Sequence, residues 1–307
     1  MDIGFGAPVS GAWATPENLA AFAAAAERGG YSSLWSFQRL LVPTGSGMDA
    51  VYHSVLDPMG ALSFAAAVTS RIRLGVALIN MPFVSPGYLA KQAATVDVLS
   101  GGRHELGLGI GWLPQEFALT GADMARRGAR AAEYVQVLRT LWRGGDVSFD
   151  GDFYQVPRGT QAPAPVQDGG PPILLGGLAK PALQRVGQIA DGWITSSRTD
   201  LSKIDQLIAV VRESAAAAGR DPESLRVICR GVVRAGEPVP GPDGQRLLLS
   251  GDYDQIRADT QWLGTLGVSE VFYDLNWDPQ IGSPDVAEAA ATARAEEIMH
   301  ALAPAAR

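Results

Sequence analysis

PPILLGGLAKPALQRVGQIADGWI, Pro171 to Ile194, reads as a strand, a turn, a helix and the start of the next strand. The apolar run Pro172 to Gly176 stops at Gly176-Gly177, a helix opens near Ala179 to Pro181, and a second apolar run begins at Gly192. Pro181 suits the first helical turn, where a missing N–H costs little. A helix start carries N–H groups with no partner inside the helix, and glycines before it allow close approach, so this turn can hold a phosphate. Gly-Gly before a helix occurs about as often in ordinary turns, and the motif alone leaves both readings open.

Outward from this unit the same alternation runs to both ends of the chain, the signature of βα units and a parallel sheet. The eight expected strands are Ile3 to Ala7, Ser32 to Ser36, Ile72 to Ile79, His104 to Gly109, Pro172 to Gly176, Gly192 to Ser196, Leu225 to Val233 and Glu270 to Leu275. Between them lie alanine-rich helical segments such as NLAAFAAAAERGG, stopped by Gly29-Gly30. Thr15 before Pro16, Asp57 before Pro58 and Ser85 before Pro86 each place a capping side chain ahead of a first-turn proline. Eight such units predict an α/β fold, the (β/α)8 TIM barrel. The 307 residues could hold two average domains. No Ser- or Pro-rich linker separates two halves, so residues 1–307 are expected to form one barrel domain. Three connections are long enough to be functional: 38–55, 111–127 and 144–171. The last contains VSFDGDFYQVP, a hairpin signal at Asp150-Gly151.

Composition narrows the function. With 47% hydrophobic and 19% charged residues the chain is globular in type, and the net charge of -7 with no long basic run argues against a nucleic-acid partner. No apolar run approaches the roughly 20 residues of a membrane span, and the N-terminus lacks a leader pattern. The expected location is the cytoplasm. The lone Cys229 lies among Val227, Ile228 and Val232 and reads as an inert core thiol. His53, His104 and His300 are far apart, so no metal site is signalled.

In such a barrel the C-terminal strand ends and the loops after them form the active-site mouth. This explains why YSSLWSFQRLL, Tyr31 to Leu41, starts as a buried strand and ends on Gln38 and Arg39. Asn80, Gly109 to Gln115, Gly176-Gly177 and Thr195 to Ser197 are expected at the same rim.

Four segments carry a resemblance across nearly the whole chain: AERGGYSSLW; SRIRLGVALINMP followed by SPGYLAKQAATVDVLSGGRHELGLGIGW; ARRGARAAEYVQVLRTLW; and the opening PPILLGGLAKPALQRVGQIADGWI. In order and spacing they resemble the bacterial luciferase-like monooxygenase superfamily, most closely its actinobacterial members that use the deazaflavin coenzyme F420. The resemblance implies a deazaflavin or flavin at the mouth, with its phosphate on Gly177, Leu178 and Ala179 beside Gly176. It also implies Asn80 and Gln115 near the ring, Gly109 and Thr195 at the rim, and the ring's back on a non-proline cis peptide at Ala77-Leu78. Homodimers are implied too.

Many relatives place an acid-histidine pair where this chain has Gln38-Arg39, and sugar-phosphate dehydrogenases of the family have a glutamate where Trp112 stands. An amide and a guanidinium cannot act as general base near neutral pH, which argues against sugar-phosphate oxidation. Arg39 can hold an anion or polarise a carbonyl, and Gln38 can orient it. Trp112 and Trp35 are candidate apolar walls for a small-molecule substrate, core packing being the alternative for Trp35. Glu116 is a candidate proton donor or a solvated loop acid. Arg126, Arg127 and Arg130 read as a solvated patch or a site for the cofactor's anionic tail. Lys91 reads as anchoring a helix face, and Tyr134 and Trp142 as a buried stripe. The leading reading is an F420-dependent oxidoreductase acting on an enone, imine or carbonyl. The alternatives are an FMN-dependent monooxygenase and a non-catalytic cofactor-binding protein.

Overall fold

The computed structural model describes residues 1–241 and 244–304. Its strands, in chain order, are β1 (Asp2–Gly6), β2 (Ser33–Ser36), β3 (Arg73–Asn80), β4 (His104–Gly109), β5 (Val147–Asp150), β6 (Gln155–Gly159), β7 (Ile173–Gly176), β8 (Gly192–Ile194), β9 (Arg226–Val232), β10 (Arg234–Ala235), β11 (Ser250–Gly251) and β12 (Glu270–Asp274). The helices are α1 (Pro16–Arg28), α2 (Pro58–Val68), α3 (Pro86–Ser100), α4 (Pro114–Thr120), α5 (Arg127–Trp142), α6 (Lys180–Ile189), α7 (Ile204–Ala217), α8 (Tyr253–Thr265) and α9 (Glu288–Ala301).

Eight parallel strands close into a barrel in the order β1-β12-β9-β8-β7-β4-β3-β2, and β2 returns to β1 through Phe5 opposite Leu34. The expected strands fall within a residue or two of those observed. β8 ends two residues early, where Ser196 N–H bonds Thr199 Oγ1 at 3.0 Å and turns the chain out of the sheet. The three expected caps form, with Thr15, Asp57 and Ser85 accepting from the N–H groups of Asn18, Gly60 and Tyr88. β5 and β6 make the expected hairpin. The connection 111–127 departs from the expected loop, because Pro114 starts the short helix α4 inside it. Short β10 and β11 pair within the segment after β9, where Pro242 and Asp243 lie outside the described residues.

The barrel interior is layered. At the N-terminal floor Glu270 accepts from Trp35 Nε1 at 2.8 Å and from Arg226 Nη2 at 3.0 Å, while Glu105 pairs with Arg226 at 2.7 Å and Arg73 at 3.2 Å. Burial, then the nearby Glu105 carboxylate, pushes the Glu270 carboxyl above its usual range, and Arg73, the Ser33 hydroxyl and Arg226 oppose the shift. Above lies an apolar layer of Trp35, Ala77, Leu174, Ile194, Ile228 and Phe272, with Trp35 and Phe272 stacked at 5.3 Å. Gly75 makes room for the indole, since a Cβ there would stand 2.3 Å from it. Trp35 therefore packs the core and is no substrate wall. Cys229 is wholly buried on β9, and burial pushes its thiol up to about 12, which suits an inert group.

Candidate active site

The end of β3 supplies the floor of the mouth. The peptide bond Ala77-Leu78 is cis, and the register with β4 shifts between Val76 and Ile79. The Leu78 side chain lies against three glycines: a Cβ on Gly176 would stand 2.4 Å from it, and one on Gly107 or Gly109 3.1 Å. Ala77 turns its carbonyl to Arg230 Nη1 at 3.2 Å. One residue on, Asn80 clips two loops together. Gln38 Oε1 accepts from Asn80 N at 3.0 Å and from its Nδ2 at 3.3 Å, and Asn80 Oδ1 accepts from Gly111 N at 3.1 Å. Both Asn80 polar atoms are thus engaged, while the NH2 of Gln38 donates to no described residue.

Arg39 and Glu116 form a buried ion pair. Arg39 Nη1 lies 3.0 Å from Glu116 Oε2, and the two side chains are 6% and 2% exposed. That contact is off the hydrogen-bonding angle, so Arg39 Nε and Nη1 have no hydrogen-bond partner. Glu116 Oε1 accepts from Leu40 N at 2.8 Å and from Leu41 N at 3.4 Å. One expectation for Glu116 is corrected: it is no solvated loop acid but a buried one whose oxygens face Arg39 and the β2 loop. The guanidinium carbon of Arg39 lies 4.3 Å from the Tyr52 ring centre and 5.2 Å from that of Trp112. Trp112 is 49% exposed and also carries Arg198 at 5.7 Å. Gln115 is exposed and lines a cavity against residues 43–52, in which Asn80 has no part.

At the start of α6 the geometry matches the sequence reading. Ala179 is the N-cap and has no side chain able to cap. Gly177 sits at φ 136°, and a Cβ there would lie 2.6 Å from the Ala182 methyl. Trp193 Nε1 donates to the Gly177 carbonyl at 3.0 Å, which pins the turn. The N–H groups of Gly177, Leu178, Ala179 and Lys180 have no acceptor among the described residues. Four free donors at an uncapped helix start fit a phosphate group.

Sequence reasoning missed Arg230. Its side chain, 9% exposed, crosses from β9 to Asp274 on β12, with Nε to Oδ2 at 2.6 Å, and lies 4.8 Å from the Phe37 ring. The signal was present as a lone cation within VICRGVV and an acid ending β12, but nothing in either segment pairs them. Thr195, expected at the rim, is buried, and its Oγ1 accepts from Arg230 N at 2.8 Å, so it serves the barrel wall. Gly109 ends β4 next to Asn80 and Leu78.

Packing decides the remaining readings. Arg126 and Arg130 stack on Phe153, and Arg130 pairs with Asp123 at 3.1 Å, while Arg126 stays exposed, in keeping with the solvated reading. Lys91 donates to the Ala162 carbonyl. Tyr134 and Trp142 are buried as a stripe, bonding the carbonyls of Val84 and Ala90. His104 is fully buried, and desolvation holds its pKa low. Among the described residues no cluster could hold a metal ion and no helix is long and apolar enough to cross a membrane.

An uncharacterised protein of Mycobacterium tuberculosis is 33% identical over 218 residues, 67% of this chain and 74% of the relative. An FMNH2-dependent dimethylsulfone monooxygenase of Pseudomonas putida is 30% identical over 197 residues, 63% of this chain and 52% of that protein. Among solved structures, an F420-dependent secondary alcohol dehydrogenase in complex with an F420-acetone adduct superposes with a TM-score of 0.78 over 98% of both chains, at 18% identity, a likeness of fold. The sequence profile of the luciferase-like monooxygenase family matches residues 3–239, most of the barrel. The chain belongs to the luciferase-like monooxygenase family.

Proposed function

We propose that this protein is an F420-dependent reductase that moves a hydride from the reduced deazaflavin to a small electron-poor enone, imine or carbonyl compound. The observation that carries the reading is the joint placement of four unpaired N–H groups at the α6 start with a mouth in which no histidine is placed to act as general base. Arg39 is held by Glu116, Gln38 is an amide, and no histidine lines either mouth cavity.

When bound, the reduced deazaflavin supplies the hydride, and water reaching the open mouth supplies the proton. The N–H groups of Gly177 to Lys180 would hold the phosphate. Leu78 gives the ring an apolar seat, and the free NH2 of Gln38 is available to its edge. Positioning and fixed charge, rather than a covalent step, are what these residues offer.

A second reading, an FMN-dependent monooxygenase, is favoured by the Pseudomonas putida relative. Separate fluorescence titrations of the purified protein with F420 and FMN discriminate the two. Micromolar binding of F420 with weak FMN binding supports the reductase, and the opposite preference supports the monooxygenase. Tight F420 binding with no oxidation of its reduced form by a panel of enones, imines and nitro compounds would leave a cofactor-binding protein without turnover.

A further inference from the structure

The loops after β2 and β4 enclose a cavity of about 300 Å³ whose walls include Pro43, Met48, Tyr52, Trp112 and Leu113, with Arg198 entering from the loop after β8. It shares Asp49 and Arg198 with a neighbour of about 350 Å³ that adds Arg234, Trp277 and Asp278. These volumes suit small ligands.

The charges around them do not balance. Asp278 is paired with Arg294 at 2.7 Å, and Arg39 with Glu116 at 3.0 Å. Arg198 and Arg234 have no acidic partner among the described residues, which leaves Asp49 facing two arginines. Across the two cavities together there is one excess positive charge, brought by Arg234 in the neighbour, and Asp49 would repel a dianion, so a monoanion is favoured. Arg198 is exposed, so it can turn to a carboxylate without breaking an existing pair. Beside it stands the half-exposed Trp112 indole, with the buried Arg39 and its unpartnered Nε close to the same ring. A ring so placed stacks well on a conjugated or aromatic body, and its apolar neighbours extend that surface.

We propose that the substrate is a conjugated, largely apolar monocarboxylate whose carboxylate is held by Arg198 and whose body stacks on Trp112. The reaction it undergoes rests on the deazaflavin reading above, whereas its binding does not.

Calorimetric titration of the cofactor-free protein with cinnamate and, separately, cinnamamide tests this, because the two ligands share size and shape and differ in charge. A charged hydrogen bond predicts cinnamate tighter by about ten-fold or more. Arg198→Gln should reduce the two to parity with the amide's affinity unchanged, Arg198→Lys should restore part of the preference, and Trp112→Leu should weaken both ligands alike. Circular dichroism of each variant checks the fold. Equal binding by the wild type, no binding of cinnamate, or a preference that survives in Arg198→Gln would overturn the proposal. A companion assay follows oxidation of reduced F420 by enones bearing a carboxylate or its amide. Cinnamate preference without oxidation of the cofactor would sink the reductase reading alone. Oxidation without any preference for the acids would sink the carboxylate site alone.

Discussion

Replacing Glu116 by Gln removes one charge of the buried pair while keeping its size. Taking one partner from such a pair typically costs about 3–5 kcal/mol, because the other charge stays desolvated. In this structure Arg39 has no other acceptor among the described residues. The Tyr52 ring 4.3 Å from its guanidinium carbon retains about 1–2 kcal/mol of cation–π attraction. The net loss for Glu116→Gln is therefore about 1–4 kcal/mol. Arg39→Met is expected to cost less. The carboxylate left behind still accepts from Leu40 N at 2.8 Å, a charged hydrogen bond of about 1.5–3 kcal/mol. The double variant should lose less than the sum of the two, with a coupling of at least about 1.5 kcal/mol. Urea unfolding at neutral pH, followed by far-ultraviolet circular dichroism, measures all three, provided the transitions keep one slope. A Glu116→Gln variant within about 0.5 kcal/mol of the wild type, or strictly additive losses, would refute the view that the two loops are joined by charge.

Gly177→Ala should strain a backbone at φ 136° and press on Ala182, at a cost of about 1–3 kcal/mol, and weaken F420 binding at least about ten-fold in a fluorescence titration. Trp35→Ala should destabilise the barrel by about 3–5 kcal/mol in urea by hollowing its apolar layer. The Cys229 thiol should stay unreactive toward maleimide at pH 8 in the folded protein and react once unfolded in urea. Burial raises the Glu27 carboxyl, but hydrogen bonds from the N–H groups of Ile72, Arg71 and Ser70 outweigh it and hold the pKa at about 2, below its usual 4.5. Its contribution is present above pH 4.5 and lost as pH falls toward 2, so melting temperatures of Glu27→Gln should fall less steeply than the wild type's across that window.

What the sequence made legible follows from locality. Strands, caps and the Asp150-Gly151 hairpin depend on neighbours within a few residues, and they formed as expected. The α6 turn was readable for the same reason, since glycines, proline and strand lie in one segment. Arg39 and Glu116 are 77 positions apart and Arg230 and Asp274 are 44 apart. No local pattern says which cation meets which acid, and the burial of Glu116 was missed because the helix α4 around it lay unrecognised within a segment read as loop. Thr195 failed differently: a short polar residue at a strand end reads equally as rim or wall, and only the Arg230 N–H decides.

The niche of Leu78 bears on how this mouth could be altered. Gly107, Gly109 and Gly176 need touch no ligand, yet each sets how deep that leucine can sink. A methyl group added at Gly176 would stand 2.4 Å from the Leu78 Cδ1 and lift that side chain into the space above, and one at Gly109 would press on it at 3.1 Å, whereas one at Gly107 would strike the Val76 carbonyl oxygen first, at 2.1 Å. The headroom for a planar ring is thereby written into the staves behind it, and a survey confined to ligand-contacting positions would pass over Gly109 and Gly176, which set it.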